Sequence, residues 1–164
     1  MSLLLRFVGG GLVVLSALVA SSEYSAYADR RISQYKGLCA LFSHAEGRIS
    51  RFLSSGDGLW RGFENEELSR VGLLPLLREG EPLSSAFLKC EENFALSREA
   101  KERIKEFLST LGRGYREGEV STISAFVSRL EKEMQTEEEA LSKSVKVTRA
   151  LLLGGALAFL ILII

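Results

Sequence analysis

The chain has 164 residues, 21 acidic and 21 basic side chains, and therefore a formal net charge of zero. That length predicts one domain with a modest core, and the balanced charge argues against nucleic acid as a partner. The charges are segregated, because every one except Arg6 lies between Glu23 and Arg149. Nearly uncharged ends around a charged middle are typical of a soluble domain that is tethered to a membrane.

The first predicted element is a transmembrane helix in residues 1–22. Leu3 to Ala20 is apolar except for Arg6 and Ser16, and eighteen residues of helix span about 27 Å, enough for a hydrocarbon core. A secretory signal peptide is the alternative, since Ala26-Tyr27-Ala28 offers a small-residue cleavage pattern. We favour a retained span, because the positive region is weak and the apolar run is long for a signal.

A soluble helical bundle is predicted for residues 23–146. Its first helix, from Glu23 to Leu53, carries apolar residues at heptad-like spacing, and Cys39 on that stripe is predicted to be a buried thiol. Ala45 is expected to take the core position beside Glu46.

Turn residues divide the next part of the bundle. We expect a short helix from Leu59 to Leu68 and another that begins at Pro82, a residue suited to the first helical position. Ser97 is expected to cap a helix from Arg98 to Leu111. No strand pattern of convincing length occurs, so the predicted fold class is all-α, a helical bundle between two terminal transmembrane helices.

The last predicted helix follows the turn after Leu111. Its apolar residues recur at intervals of three and four and so share one helix face. The stripe consists of Val120, Ile123, Val127, Leu130 and Met134. After Arg149 the helix becomes apolar all round, which predicts either a buried core helix or a transmembrane helix. The density of Leu and Ile from Leu157 to Ile164 favours a second transmembrane helix in residues 147–164.

Small residues in both predicted spans suggest close helix packing. Ser16 with Ala20, and Gly154 with Ala158, lie four residues apart, the spacing that lets helices approach in lipid. We expect the spans to pack on each other or on a neighbouring copy, which would make a homo-oligomer.

Basic residues that flank the spans predict the orientation. On the domain side lie Arg30, Arg31, Lys36, Lys143, Lys146 and Arg149, and on the other side lies Arg6. The positive-inside rule then places the domain in the cytoplasm and both termini outside.

The sequence offers no catalytic constellation, no metal-ligand cluster and no cofactor-binding loop, which argues against an enzyme. His44, the single histidine, is expected to be solvated or to cap a helix. The acidic residues Glu131, Glu133 and Glu137 to Glu139 are expected to form a solvated face.

A charged cluster at the turn between the last two helices is the candidate binding site. Arg113, Arg116 and Glu117 lie there beside Gly112, a natural helix terminator. The cluster has two interpretations, a structural clasp across the helix corner or a docking contact for a partner.

At this turn the sequence resembles the stage III sporulation protein AB family. The resemblance rests on Phe107-Leu108-x-x-Leu111-Gly112-Arg113-x-x-Arg116-Glu117, on the two end spans and on the helical middle. Gly114 and Tyr115 stand where the family usually has a Ser-Asp pair.

The resemblance implies a membrane component of the apparatus that joins mother cell and forespore in endospore-forming bacteria. It is similar in role to the platform protein of type II secretion systems. The implied partners are a secretion-type ATPase and other stage III sporulation proteins of the same operon, and the implied location is the mother-cell membrane that faces the forespore.

We therefore expect a non-enzymatic, membrane-anchored structural or assembly component of a secretion-like channel. The alternatives are a secreted or tail-anchored helical interaction protein after signal cleavage, and a small membrane-bound enzyme.

Overall fold

A computed structural model of the chain describes residues 2–52, 59–60, 62–111 and 116–163. These ranges contain α-helices and one 3₁₀ turn but no strand, which confirms the predicted all-α class. The helices are α1 (Ser2–Phe52), α2 (Glu66–Arg70), α3 (Leu73–Arg78), α4 (Leu83–Cys90), α5 (Arg98–Thr110) and α6 (Arg116–Ile163), with the 3₁₀ turn at Glu91–Asn93.

The residues group into two compact units, and α1 and α6 contribute to both. The central unit is Arg30–Thr136, and the terminal unit combines Met1–Asp29 with Glu137–Ile164. The predicted domain limits after residues 22 and 146 stay predictions. The two units are defined by which residues lie close together in space, and this does not tell whether lipid or water surrounds them.

In the central unit, α1 supplies one wall of the hydrophobic core. Tyr35, Leu38 and Phe42 are almost completely buried, at intervals of three and four that keep them on one helix face. Ala45 is buried as well, so it takes the core position that the sequence predicted for it.

Polar side chains and glycines set where the short helices begin. Asn65 Oδ1 accepts a hydrogen bond from Leu68 N–H at 2.9 Å and so caps α2. The predicted helix from Leu59 to Leu68 is therefore wrong over most of its length, because this cap starts the helix at Glu66 and Gly62, at φ 82°, precedes it in a turn.

The next two predicted helix starts agree with the structure to within one residue. Pro82 occupies the capping position of α4, and Ser97 Oγ accepts a hydrogen bond from Ala100 N–H at 3.2 Å at the start of α5. The predicted end of α5, Leu111, is the residue that follows its last helical residue.

Four of the five residues in the predicted apolar stripe of α6 pack in the core, and the fifth, Val120, is half-buried. Ile123, Val127 and Leu130 are buried, and they belong to the same core cluster as Phe42 of α1 and Phe107 of α5. Met134 is partly buried against that cluster.

In the terminal unit, the two chain ends share a hydrogen bond. The hydroxyls of Tyr24 on α1 and Ser144 on α6 lie 2.8 Å apart. The buried residues of this unit are small, namely Gly10, Ala17, Ser21, Ala28 and Ala156, as close helix packing requires.

Large apolar side chains are exposed on the outside of the terminal unit. They are Leu12, Leu15, Leu18, Val19, Tyr27, Val147, Leu151, Leu157, Phe159 and Ile161. Across the residues that the structure describes, no helix combines the length and the apolar character needed to cross a membrane.

Candidate functional site

The candidate site is the corner between α5, which ends at Thr110, and α6, which begins at Arg116. Gly112 and Arg113, two of the four predicted binding residues, lie outside the described residues. The other two, Arg116 and Glu117, form the first turn of α6. The docking contact predicted from these four residues therefore stays a prediction. The structure defines the contacts by which α1, α5 and α6 pack together next to the corner.

Three aromatic rings hold the helices together below the corner. The rings of Phe107 and Phe126 stack in parallel with centroids 3.7 Å apart, and the ring of Phe42 meets both edge-on at 5.3 and 5.4 Å. Such pairs add about 0.5–1.5 kcal/mol beyond the burial of their area. The stack fixes α5 against α6, and the edge contacts fix both helices against α1.

Phe126, which is half-buried, was not predicted from the sequence, because it lies outside the predicted apolar stripe. Its position three residues after Ile123 was the available signal, since such neighbours share a helix face.

An ion pair also joins α5 to α6. Arg103 Nη2 lies 3.1 Å from Glu133 Oε2, and Arg129 Nε lies 3.4 Å from Glu133 Oε1. The prediction that Glu133 belongs to a solvated acidic face is therefore wrong, because its side chain is only 21% exposed and pairs with both arginines. A clasp between the two helices thus exists away from the predicted residues.

A second set of charges ties the 3₁₀ turn to α5. Lys105 Nζ lies 3.0 Å from Glu91 Oε1 and 2.8 Å from Glu102 Oε1. The hydrogen bonds to Glu102 and then Glu91 raise the pKa of Lys105 above its ordinary value, and Lys105 lowers the pKa of Glu102.

A buried glutamine, also missed from the sequence, fixes the segment that leads into α5. Gln34 is completely buried on α1, and its Oε1 accepts a hydrogen bond from Ala95 N–H at 2.7 Å. The available signal was a polar residue two positions after Ile32 and immediately before Tyr35, both of which are buried.

The two cysteines are buried, free thiols. Burial raises the pKa of Cys39 to about 11 and that of Cys90 to about 11. Both thiols are therefore protonated near neutral pH and are poor nucleophiles. The prediction of a buried thiol at Cys39 is confirmed.

His44 neither caps a helix nor stands free in solvent, so that prediction is wrong. It lies inside α1, half-buried, with its ring 5.3 Å from the ring of Phe63. Burial, and then the charge of Arg48, lower its pKa below 6.5. Among the described residues, no group of His, Cys, Asp or Glu side chains is placed to hold a metal ion.

The small-residue pairs of the terminal unit face outward. Ser16, Ala20, Gly154 and Ala158 are all exposed within the single chain. A Cβ added at Gly154 would meet no atom within 4 Å. Packing of these pairs on a neighbouring copy stays a prediction.

The family model for stage III sporulation protein AB matches residues 77–164, from the end of α3 through α6. This match covers more than half of the chain, including the corner. No curated protein and no solved structure matches the chain. The family is a sporulation structural or assembly family and not a known enzyme family. The chain therefore belongs to the stage III sporulation protein AB family and is a component of stage III of sporulation.

Proposed function

We propose that the protein is a non-enzymatic, membrane-anchored assembly component of a secretion-like channel between mother cell and forespore, and that it docks a secretion-type ATPase. The observation that carries this proposal is the family match over residues 77–164, because it includes both the corner and the whole of α6. Other stage III sporulation proteins are the class of partner that this membership suggests.

Membrane anchoring is supported by the surface of the terminal unit. Leu151 is 70% exposed and Ile161 is 76% exposed. The other exposed large apolar side chains of this unit lie on both of its helices, at Val147, Leu157 and Phe159 of α6 and at Leu12, Leu15, Leu18, Val19 and Tyr27 of α1. A patch of this kind marks a membrane or protein contact. The hydroxyls of Ser16 and Ser22 donate to carbonyl oxygens of their own helix at 2.8 and 2.9 Å, which leaves neither donor unsatisfied in lipid.

The proposed topology places both chain ends outside the mother cell and the central unit in its cytoplasm. Single cysteines at Ser2 and Ile164, in a Cys39→Ala, Cys90→Ala background, should react with a membrane-impermeant maleimide before the cells are opened, in cells that express the protein without entering sporulation. A cysteine at exposed Lys132 is the matched control and should react only after permeabilisation. Reaction of either terminal cysteine only after permeabilisation would exclude this topology.

Docking at the corner is supported by the contacts that already join α5 to α6, because they leave the charges at the corner without a structural task. The Phe107–Phe126 stack and the Arg103–Glu133 pair join α5 to α6, so closing the corner requires no further charge. Arg116 lies in the first turn of α6, where the helix dipole disfavours a cation by about 0.3–1 kcal/mol. A cation that costs stability at that position is better explained by a partner with an acidic surface.

The docking proposal is tested with Arg113→Ala/Arg116→Ala. We expect this variant, purified in mild detergent, to unfold at the same or slightly higher urea concentration than the parent and to bind the purified ATPase at least about tenfold more weakly, as for loss of charged contacts. Arg98→Ala/Lys132→Ala is the control, since it removes two cations elsewhere and should retain binding. Unchanged binding by the corner variant would remove the corner from the proposed function.

A further inference from the structure

Three exposed cations lie where α6 changes from charged to apolar. Lys143, Lys146 and Arg149 follow one another at three-residue intervals, and all three side chains are exposed. The segment from Ala140 to Arg149 contains no acidic residue. In the described part of the chain, none of the three cations forms an ion pair with a carboxylate. We call these three residues the basic collar.

The height of the basic collar matches the headgroup layer of a bilayer. Six residues of helix rise about 9 Å, and each headgroup layer is roughly 5–8 Å thick. Tyr24 of α1 shares its hydrogen bond with Ser144 beside the first of these cations, so α1 is fixed against α6 at this level. Tyr27, which is 43% exposed, adds the kind of aromatic side chain that is enriched at membrane interfaces.

On one face of α6, a charged side chain is followed by exposed apolar side chains. Lys143, Val147 and Leu151 are spaced by four residues, and Val147 and Leu151 are 57% and 70% exposed. An occupant of this face must offer an anion at one end and hydrocarbon at the other. A phospholipid with an anionic headgroup has this arrangement, whereas a free phosphate lacks the hydrocarbon.

We propose that the basic collar binds the headgroups of anionic phospholipids such as phosphatidylglycerol. This inference rests on the proposed membrane anchoring and adds the class of lipid that the anchor selects. Lysines contribute point charges, and Arg149 contributes a guanidinium that can bind a phosphate through two parallel hydrogen bonds. Each such cation near an anionic surface favours association about fivefold.

The test uses the full chain in phosphatidylcholine vesicles that contain a trace of spin-labelled phosphatidylglycerol or spin-labelled phosphatidylcholine. Electron spin resonance gives the fraction of each label that the protein restricts. Averaged over all boundary lipids, we expect a preference for phosphatidylglycerol of about twofold or more, reduced by high salt because screening weakens exposed charge interactions.

Lys143→Gln/Lys146→Gln/Arg149→Gln should lose the preference. The matched control Arg98→Gln/Lys101→Gln/Lys132→Gln removes the same charge from the central unit and should keep it. The fluorescence of Trp60, the single tryptophan, reports whether each variant is folded. The salt dependence of the unmodified chain tests the inference independently of any variant.

The outcomes separate this inference from the proposed function. If the protein restricts neither label, the proposed anchoring itself is wrong. If it restricts both labels equally, if the preference is indifferent to salt, or if the control triple variant loses the preference as the collar variant does, anchoring stands and the proposed lipid selectivity is overturned.

Discussion

A single added methyl group at Gly37 tests the packing of α1 against α2. Gly37 is buried, and a Cβ at this position would lie 3.0 Å from Asn65 Oδ1 and 3.0 Å from Leu68 Cγ. Asn65 Oδ1 is the acceptor that caps α2, so the methyl group would press on both the cap and the core. Gly37→Ala should therefore destabilise the protein although alanine is the better helix former.

The expected size follows from opposing contributions. Alanine favours a helix over glycine by about 1 kcal/mol, whereas overpacking costs about 1–3 kcal/mol and a disturbed cap costs about 0.5–2 kcal/mol. The net expectation is destabilisation by roughly 1–3 kcal/mol. Gly47 on the same helix is the matched control, because a Cβ there would meet nothing within 4 Å. Gly47→Ala should stabilise by about 0.5–1 kcal/mol.

Urea unfolding of the full chain in mild detergent, followed by Trp60 fluorescence, measures both changes. Trp60 is packed against the central core, so its emission reports on the unit that contains both helices. The two variants should shift the unfolding midpoint in opposite directions with an unchanged urea dependence. Equal stabilisation by both would show that α2 does not approach α1 at Gly37.

The remaining predictions concern the core, its buried amide and its histidine. Leu130→Ala should cost about 2–5 kcal/mol in the same assay, whereas Leu88→Ala, at a position 58% exposed, should change stability by less than about 0.5 kcal/mol; equal effects would place the α6 stripe on the surface. Gln34→Leu takes the acceptor from the N–H of Ala95, at a cost of about 1–3 kcal/mol, but it also removes Gln34 Nε2, a buried donor with no partner among the described residues, so the net destabilisation should be below about 2 kcal/mol; a more stable variant would mean that the unpaired amide group outweighs this hydrogen bond. His44 has a pKa lowered below 6.5, so the unfolded chain binds its proton more readily and stability should fall as the pH drops through about 6.5. His44→Gln should reduce the decrease of the urea unfolding midpoint between about pH 7.5 and pH 5.5. An identical pH profile for the parent and the variant would contradict the attribution of this decrease to His44.

The sequence predicted those features that depend on neighbours along the chain. The cap at Ser97 and the stripe through Ile123, Val127 and Leu130 are local signals, because a cap and a helix face are set within a few residues. Both agree with the structure, as does the burial of Cys39 on the stripe of α1.

Contacts between residues that are far apart in the sequence could not be predicted from local sequence patterns. The Phe107–Phe126 stack and the Arg103–Glu133 pair each join residues on different helices, and the Gln34–Ala95 hydrogen bond spans 61 positions. The error at residues 59–68 had a local cause, since the capping capacity of Asn65 outweighed the apolar residues before it.

Photo-crosslinking at the corner in sporulating cells tests whether the protein docks the secretion-type ATPase from a membrane. A benzoylphenylalanine replaces Tyr115, between Arg113 and Arg116, and a second strain carries the same group at exposed Leu88 as the control. After irradiation the membrane fraction is probed for adducts between this protein and the secretion-type ATPase. We expect a membrane-bound adduct with the ATPase from position 115 and none from position 88. Recovery of the protein in the soluble fraction, or the absence of the ATPase from the position 115 adducts, would contradict this expectation.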